Sequence, residues 1–144
     1  MYNFEEKIWC CTTCNANETR QLIKAKFSKI LPSFAVYLDG ELGTGKTFIC
    51  KEIARLYEIY NISSSSFSKM KVHNSYIKLI HSDLYNINED EEFFYNYIYP
   101  ELNNKCILIT EWLRDSYQLD IPVYKIQILS RTGNNRKISF SKLY

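Results

Sequence analysis

The chain has 144 residues, of which 46% are hydrophobic and 24% are charged, and its formal net charge is +2. This length and balance predict a single folded domain over residues 1–144 and exclude a disordered chain. The positive charge is too weak to indicate nucleic-acid binding by bulk electrostatics, so any contact with RNA is expected to be indirect or confined to a local patch. No apolar stretch approaches the roughly 18 residues of a membrane span.

The cysteines indicate a reduced, cytoplasmic protein. Their number is odd, and no apolar signal segment is visible before residue 9, so a disulfide framework is not expected. Cys11 and Cys14 form one C-x-x-C pair, but a structural zinc site needs four ligands and no second pair has suitable spacing. We therefore expect ordinary thiols at the five positions, Cys10, Cys11, Cys14, Cys50 and Cys106.

The first half of the chain alternates predicted strands and helices. Residues 8–12 are β-prone, and apolar side chains at helical spacing predict a helix over residues 18–30, which Pro32 ends. The continuous apolar run at residues 34–38 is typical of a buried strand. Residues 47–60 carry apolar side chains along one side and predict a second helix.

The second half is mostly β-prone. A polar loop at residues 63–66 precedes it, and a helical pattern at residues 89–99 interrupts it. The predicted strands are residues 67–72 (or an excursion of the chain), 76–80, 106–110, 123–129 and 137–143. A turn at residues 132–135 joins the last two. We therefore predict an α/β domain with a central mixed, partly parallel sheet flanked by helices and a C-terminal β-hairpin.

A glycine-rich turn joins the strand at residues 34–38 to the helix that follows. Residues 40–47 read Gly-Glu-Leu-Gly-Thr-Gly-Lys-Thr, which satisfies G-x-x-x-x-G-K-[ST]. Glycines let the backbone turn tightly and point its N–H groups at an anion, and the helix start adds the positive end of its dipole. Lys46 is expected to reach the β- and γ-phosphates, and the Thr47 hydroxyl to coordinate Mg²⁺. The pattern predicts a P-loop that binds ATP.

Acidic residues follow two predicted strands and complete the expected site. Asp83 and Glu111 share an edge with the P-loop if their strands run parallel to residues 34–38, where they can hold Mg²⁺ and orient water. Otherwise Asp83 is a turn or capping residue and Glu111 a solvated strand end. His81 could bond a backbone group or the nucleotide. Trp112 could stack on a base or shield the phosphates, or it is a core or interface residue. The expected nucleotide contacts are Glu41, Leu42, Gly43, Thr44, Gly45, Lys46, Thr47, Phe48 and Trp112.

The order of these motifs resembles the TsaE family, bacterial ATPases of tRNA threonylcarbamoyladenosine (t6A) synthesis. The resemblance runs from about residue 9 to residue 140. It is carried by Glu18-Thr19, by L-x-G-x-L-G-x-G-K-T at residues 38–47, by a serine-rich loop at residues 64–67, by H-x-D-x-Y at residues 81–85 and by Glu111-Trp112.

The resemblance implies a role for each matching residue. Lys46 and Thr47 take the P-loop roles, and Asp83 is part of the Mg²⁺ site. Glu111 is the acidic group close to the metal and the γ-phosphate that hydrolysis needs, and Trp112 lies near the nucleotide.

The resemblance also implies a partner-dependent Mg-ATPase with weak intrinsic activity. Such proteins act with TsaB and TsaD, reach tRNA only through that complex, and use ATP to govern its assembly and resetting. Three sites depart from the family pattern: Ser65-Ser66 replaces Pro-Thr, Asn86 replaces an arginine, and Leu113-Arg114-Asp115 replaces Pro-Glu-Arg. These departures concern regulation and partner contacts more than the P-loop.

Two other functions fit a P-loop. A small-molecule kinase needs an acceptor pocket and usually an arginine-rich lid, whereas this chain has five arginines and no lid-like segment in its pattern. A non-hydrolysing, nucleotide-dependent scaffold would bind ATP without releasing phosphate. The candidates for an arginine finger are Arg114, Arg131 and Arg136.

Overall fold

The computed structural model describes residues 6–41, 43–62, 69–84, 90–103, 105–111, 119–130 and 132–143. The strands are β1 (Glu6–Thr13), β2 (Phe34–Gly40), β3 (Met70–Asn74), β4 (Lys78–Asp83), β5 (Cys106–Glu111), β6 (Val123–Ser130) and β7 (Arg136–Lys142). The helices are α1 (Ala16–Phe27), α2 (Lys46–Leu56) and α3 (Asp90–Phe93), which continues as a π-helical turn (Phe94–Ile98) and a 3₁₀ turn (Tyr99–Glu101).

The strands form a seven-stranded mixed sheet in the order β1-β7-β6-β2-β5-β4-β3. The centre is parallel, because β2 pairs with both β5 and β6, and β4 pairs with β5. The flanks are antiparallel, with β3 on β4 at one side and the β6–β7 hairpin followed by β1 at the other. The predicted α/β class, the mixed sheet and the C-terminal hairpin are confirmed.

Helices cover both faces of the sheet. On one face, α1 and α2 bury a core that includes Ile23, Phe27, Val36, Leu38, Ile49, Ile53, Leu79, Ile107 and Ile109. On the other, the helical stretch 90–101 buries a smaller core that includes Ala35, Ile80, Phe94, Ile98 and Leu108. Of the described helices, none combines the length and the apolar composition needed to cross a bilayer.

Several boundaries differ from the predicted ones for local reasons. Helix α1 begins at Ala16 rather than residue 18, because the Asn15 side chain caps it by accepting from the Glu18 N–H at 2.9 Å, and it ends at Phe27 rather than residue 30. Strand β4 extends to Asp83 rather than residue 80, because its pairing with β5 continues to Glu111. The predicted polar loop at residues 63–66 lies outside the described residues.

Phe27 joins α1 to the sheet, and its truncation tests this core. Its buried ring lies 6.0 Å from the Phe34 ring and 5.2 Å from the Phe140 ring, between centroids. Phe27→Ala is expected to lower the free energy of unfolding by about 3–5 kcal/mol, measured by urea denaturation. Leu31→Ala, at a side chain 81% exposed, is the control and is expected to change it by less than about 0.5 kcal/mol. Equal losses in both variants would contradict this packing.

Candidate functional site

The turn between β2 and α2 depends on its glycines. Gly43 and Gly45 have φ angles of +80° and +103°, in the left-handed region that glycine adopts at little cost. Gly40 is needed for space, since an added Cβ would lie 2.7 Å from Thr44 Oγ1 and 3.0 Å from the Ile128 carbonyl oxygen. The loop therefore needs glycine at positions 43 and 45 for the backbone conformation and at position 40 for close packing.

Hydrogen bonds hold the loop in shape. Thr44 donates to the Glu41 carbonyl oxygen from its N–H at 3.2 Å and from its hydroxyl at 2.7 Å. Arg136, the first residue of β7, donates from Nε to the Thr44 carbonyl oxygen at 3.1 Å. Gly45 is the N-cap of α2 and has no side chain to cap the helix. The first N–H groups of α2 therefore suit an anion such as phosphate.

Lys46 opens α2 and is buried at the loop. Its ammonium group donates to the carbonyl oxygens of Gly40 and Glu41, the latter at 2.9 Å. Burial lowers the pKa of Lys46, while the carboxylates of Glu111, Asp83 and, more weakly, Asp39 oppose that shift. The Lys46 ammonium group therefore interacts electrostatically with all three carboxylates.

The two acidic candidates lie at the sheet edge that carries the loop. Because β2, β5 and β4 are parallel and in register, Leu38 pairs with Glu111 and Glu111 pairs with Asp83. The Glu111 side chain is buried and Asp83 is half-buried. The structure therefore brings Lys46, Asp83 and Glu111 together, as the strand pattern predicts.

His81 and Glu111 form an ion pair inside the protein. His81 Nε2 lies 2.9 Å from Glu111 Oε2, with the two side chains 1% and 5% exposed. Burial by itself lowers the pKa of His81, but the bond to the Glu111 carboxylate opposes this effect, and the pKa is raised above its ordinary value. No atom of the described residues accepts a hydrogen bond from the other ring nitrogen, Nδ1.

A cavity of about 320 Å³ opens beside the loop. It lies between the start of α1, the start of α2 and the β6–β7 hairpin, and its lining includes Asn15, Ala16, Thr19, Phe48, Asn134 and Arg136. Of the lining residues, Thr44, Gly45 and Phe48 were expected from the sequence to contact the nucleotide, and Arg136 was a candidate arginine finger. The sequence showed the Glu18-Thr19 motif and the hairpin turn, but no local sequence pattern indicated that these two segments lie next to each other.

The three predicted metal ligands carry oxygen groups. Asp83 and Glu111 at the sheet edge have carboxylates and Thr47, the second residue of α2, has a hydroxyl, and these are groups that Mg²⁺ prefers. Within the described ranges, no cluster of three or more His, Cys, Asp or Glu side chains can hold a metal ion alone. A metal here would need phosphate and water ligands as well, as is usual for Mg²⁺ at a P-loop.

Some predicted residues lie outside the described ranges. They are Leu42, Trp112, the serine-rich loop at residues 64–67, Asn86, Leu113, Arg114, Asp115 and Arg131. Their assignments stay predictions. Arg136, the third candidate for an arginine finger, is described, and it binds the loop backbone.

Comparisons with known proteins agree with this fold and motif order. The family model "Threonylcarbamoyl adenosine biosynthesis protein TsaE" matches residues 13–138. The tRNA threonylcarbamoyladenosine biosynthesis protein TsaE of Rickettsia typhi is 30% identical over 91% of this chain and 93% of its own length. The Rickettsia felis protein of the same name is 37% identical over 68% of this chain, and the match spans 58% of that protein.

A solved structure is similar as well. The crystal structure of YdiB from Bacillus subtilis superposes with a TM-score of 0.72 at 25% identity, covering 99% of this chain and 90% of that one. The TsaE of Bacillus subtilis is 29% identical to this chain over 90% of its residues and 82% of that protein. With a family match across most of its length, this chain belongs to the TsaE family.

Proposed function

We propose that this chain binds ATP with Mg²⁺ at residues 40–48 and hydrolyses it slowly, and that this activity is part of tRNA t6A synthesis. The observation that carries the proposal is the meeting of Lys46, Asp83 and Glu111 at one edge of a parallel sheet, beside a glycine loop that opens a helix. Family membership supports the biosynthetic role, because the family description and the names of the relatives refer to threonylcarbamoyladenosine biosynthesis.

Each residue at the edge has a task in hydrolysis. On binding, Lys46 exchanges the loop carbonyls for β- and γ-phosphate oxygens, and the N–H groups at the start of α2 hold the phosphates. Thr47 and Asp83 would hold Mg²⁺. Mg²⁺, when bound, neutralises charge on the phosphates. Glu111 orients the attacking water and accepts its proton.

The cavity beside the loop suits the nucleoside. Its volume of about 320 Å³ is at the lower end for a small-molecule pocket, as expected for a site that holds only part of a ligand. Phe48 supplies an aromatic wall, and Asn15, Asn134 and Arg136 supply polar groups. Since Thr44 and Gly45 line both the cavity and the loop, a nucleotide can reach from one to the other.

The position of Arg136 supports the proposal of slow turnover and partner control. Its guanidinium is committed to backbone oxygens of Thr44 and Asn135, so it supports the loop rather than the transferring phosphoryl group. A charge donor from TsaB or TsaD, or from an arginine outside the described residues, would raise the rate. Loops ordered by bound ATP and released on hydrolysis would then control assembly and resetting of a TsaB–TsaD complex.

Lys46→Ala and Glu111→Ala separate binding from hydrolysis. Lys46→Ala is expected to raise the Kd for MgATP by about 100-fold, because charge-assisted hydrogen bonds to phosphate are lost. Glu111→Ala is expected to leave the Kd within about threefold and to slow phosphate release by about 100-fold or more, because the base is lost. Calorimetry and phosphate release, with and without TsaB and TsaD homologues, measure both. Lys51→Ala, at an exposed lysine of α2, is the control.

The outcomes also distinguish the rival functions. Equal hydrolysis by wild type and Glu111→Ala would refute the role of Glu111. Tight ATP binding without phosphate release in the presence of the partners would favour a scaffold. Transfer of phosphate to an added small acceptor in the absence of partners would favour a kinase.

Ala16→Phe tests the nucleoside cavity separately from the P-loop. The new ring would fill the cavity from its exposed rim, so the Kd for ATP is expected to rise by about tenfold or more, while that for tripolyphosphate stays within about twofold. Asn17→Phe, at the next exposed position of α1 and outside the cavity lining, is the matched control. An unchanged ATP affinity in Ala16→Phe would place the base elsewhere.

A further inference from the structure

The His81–Glu111 pair lies in the layer between the sheet and α2. Leu79 and Ile109 pack in the core beneath α1 and α2. His81 follows Leu79 by two residues on β4, and Glu111 follows Ile109 by two residues on β5, so both point to the same face. Their side chains meet there at 2.9 Å, almost fully buried.

A hydrogen bond to a ring restricts the carboxylate. A group buried as deeply as Glu111 is stable only when it is paired or hydrogen-bonded. The bond joins Oε2 of Glu111 to Nε2 of a rigid imidazole that is itself buried, so it limits the orientations open to the carboxylate.

The face of the sheet that carries the pair packs against α2. Cys50 of this helix is buried in the same core as Leu79 and Ile109. Cys50 follows Lys46 by four residues, so the two share one face of α2. His81 therefore lies between the helix that begins with Lys46 and the strand that ends with Glu111.

We infer that His81 is the positioning residue for Glu111. It holds the carboxylate in the orientation that a water or a metal at the sheet edge requires. The inference rests on the proposed ATPase function. A histidine that only filled space in the core would need no donor at Nε2, and this difference can be tested.

Two amide substitutions at position 81 test which ring nitrogen matters. In His81→Gln the amide nitrogen can reach the place of Nε2, whereas in His81→Asn it reaches only that of Nδ1. We expect phosphate release within about threefold of wild type in His81→Gln and slowed by about 10–100-fold in His81→Asn. The Kd for ATP in EDTA is expected to stay within about twofold in both, because the P-loop is untouched. His73→Asn, at the histidine of β3, is the matched control and is expected to behave as wild type.

A spectroscopic readout tests the pair without ATP. The Nε2 proton of His81 is expected as a slowly exchanging, downfield proton resonance in wild type that is lost in Glu111→Ala. Equal phosphate release by His81→Gln and His81→Asn, or a ring resonance indifferent to Glu111→Ala, overturns the assignment. If His81→Asn does not fold, the resonance decides. Failure of wild type to bind ATP refutes the proposed function, and with it the catalytic meaning of the pair, even if the resonance behaves as expected.

Discussion

The parallel pairing of β2, β5 and β4 is the constraint on which the candidate site depends. Parallel strands end at the same edge, so the loop after β2 and the last residues of β4 and β5 meet there. The register matters as much as the direction. Because side chains alternate between faces, a slip of one residue would turn Asp83 or Glu111 to the other face of the sheet, away from Lys46. The central hydrophobic residues of these strands therefore support the geometry of the polar ones at their ends.

The site also contains charged side chains that are buried from solvent. Lys46 and Glu111 are both buried, and each is stable because other groups compensate it. The loop carbonyls and the neighbouring acids satisfy Lys46, and His81 satisfies Glu111. The His81–Glu111 pair is formed in advance, so the carboxylate needs little reorganisation when a phosphate arrives, whereas Lys46 must exchange its carbonyl partners.

Local sequence patterns predicted the local parts of this arrangement well. The glycine motif predicted the turn and the helix start, and apolar runs predicted which strands are buried. Asp83 and Glu111 were then predicted to lie at the same sheet edge as the loop, because parallel strands in this class of fold end at one edge. The family resemblance and the fold class agree with the comparisons and with the sheet.

Contacts between distant parts of the chain could not be predicted in this way. The bond between His81 and Glu111 joins residues 30 apart, and the bond between Arg136 and Thr44 joins residues 92 apart. Both depend on strand register and on how the β6–β7 hairpin lies against α2, which periodicity does not report. The same reason explains why the cavity was missed, since its walls come from three separate segments.

The t6A content of tRNA in cells depleted of this protein shows whether ATP binding by this chain serves t6A synthesis. Cells carry either the wild-type chain or Lys46→Ala as the rescuing copy, at equal protein levels, and t6A is quantified by mass spectrometry of digested tRNA. We expect that depletion lowers t6A, that wild type restores it and that Lys46→Ala does not. Normal t6A after depletion, or full rescue by Lys46→Ala, would contradict this role.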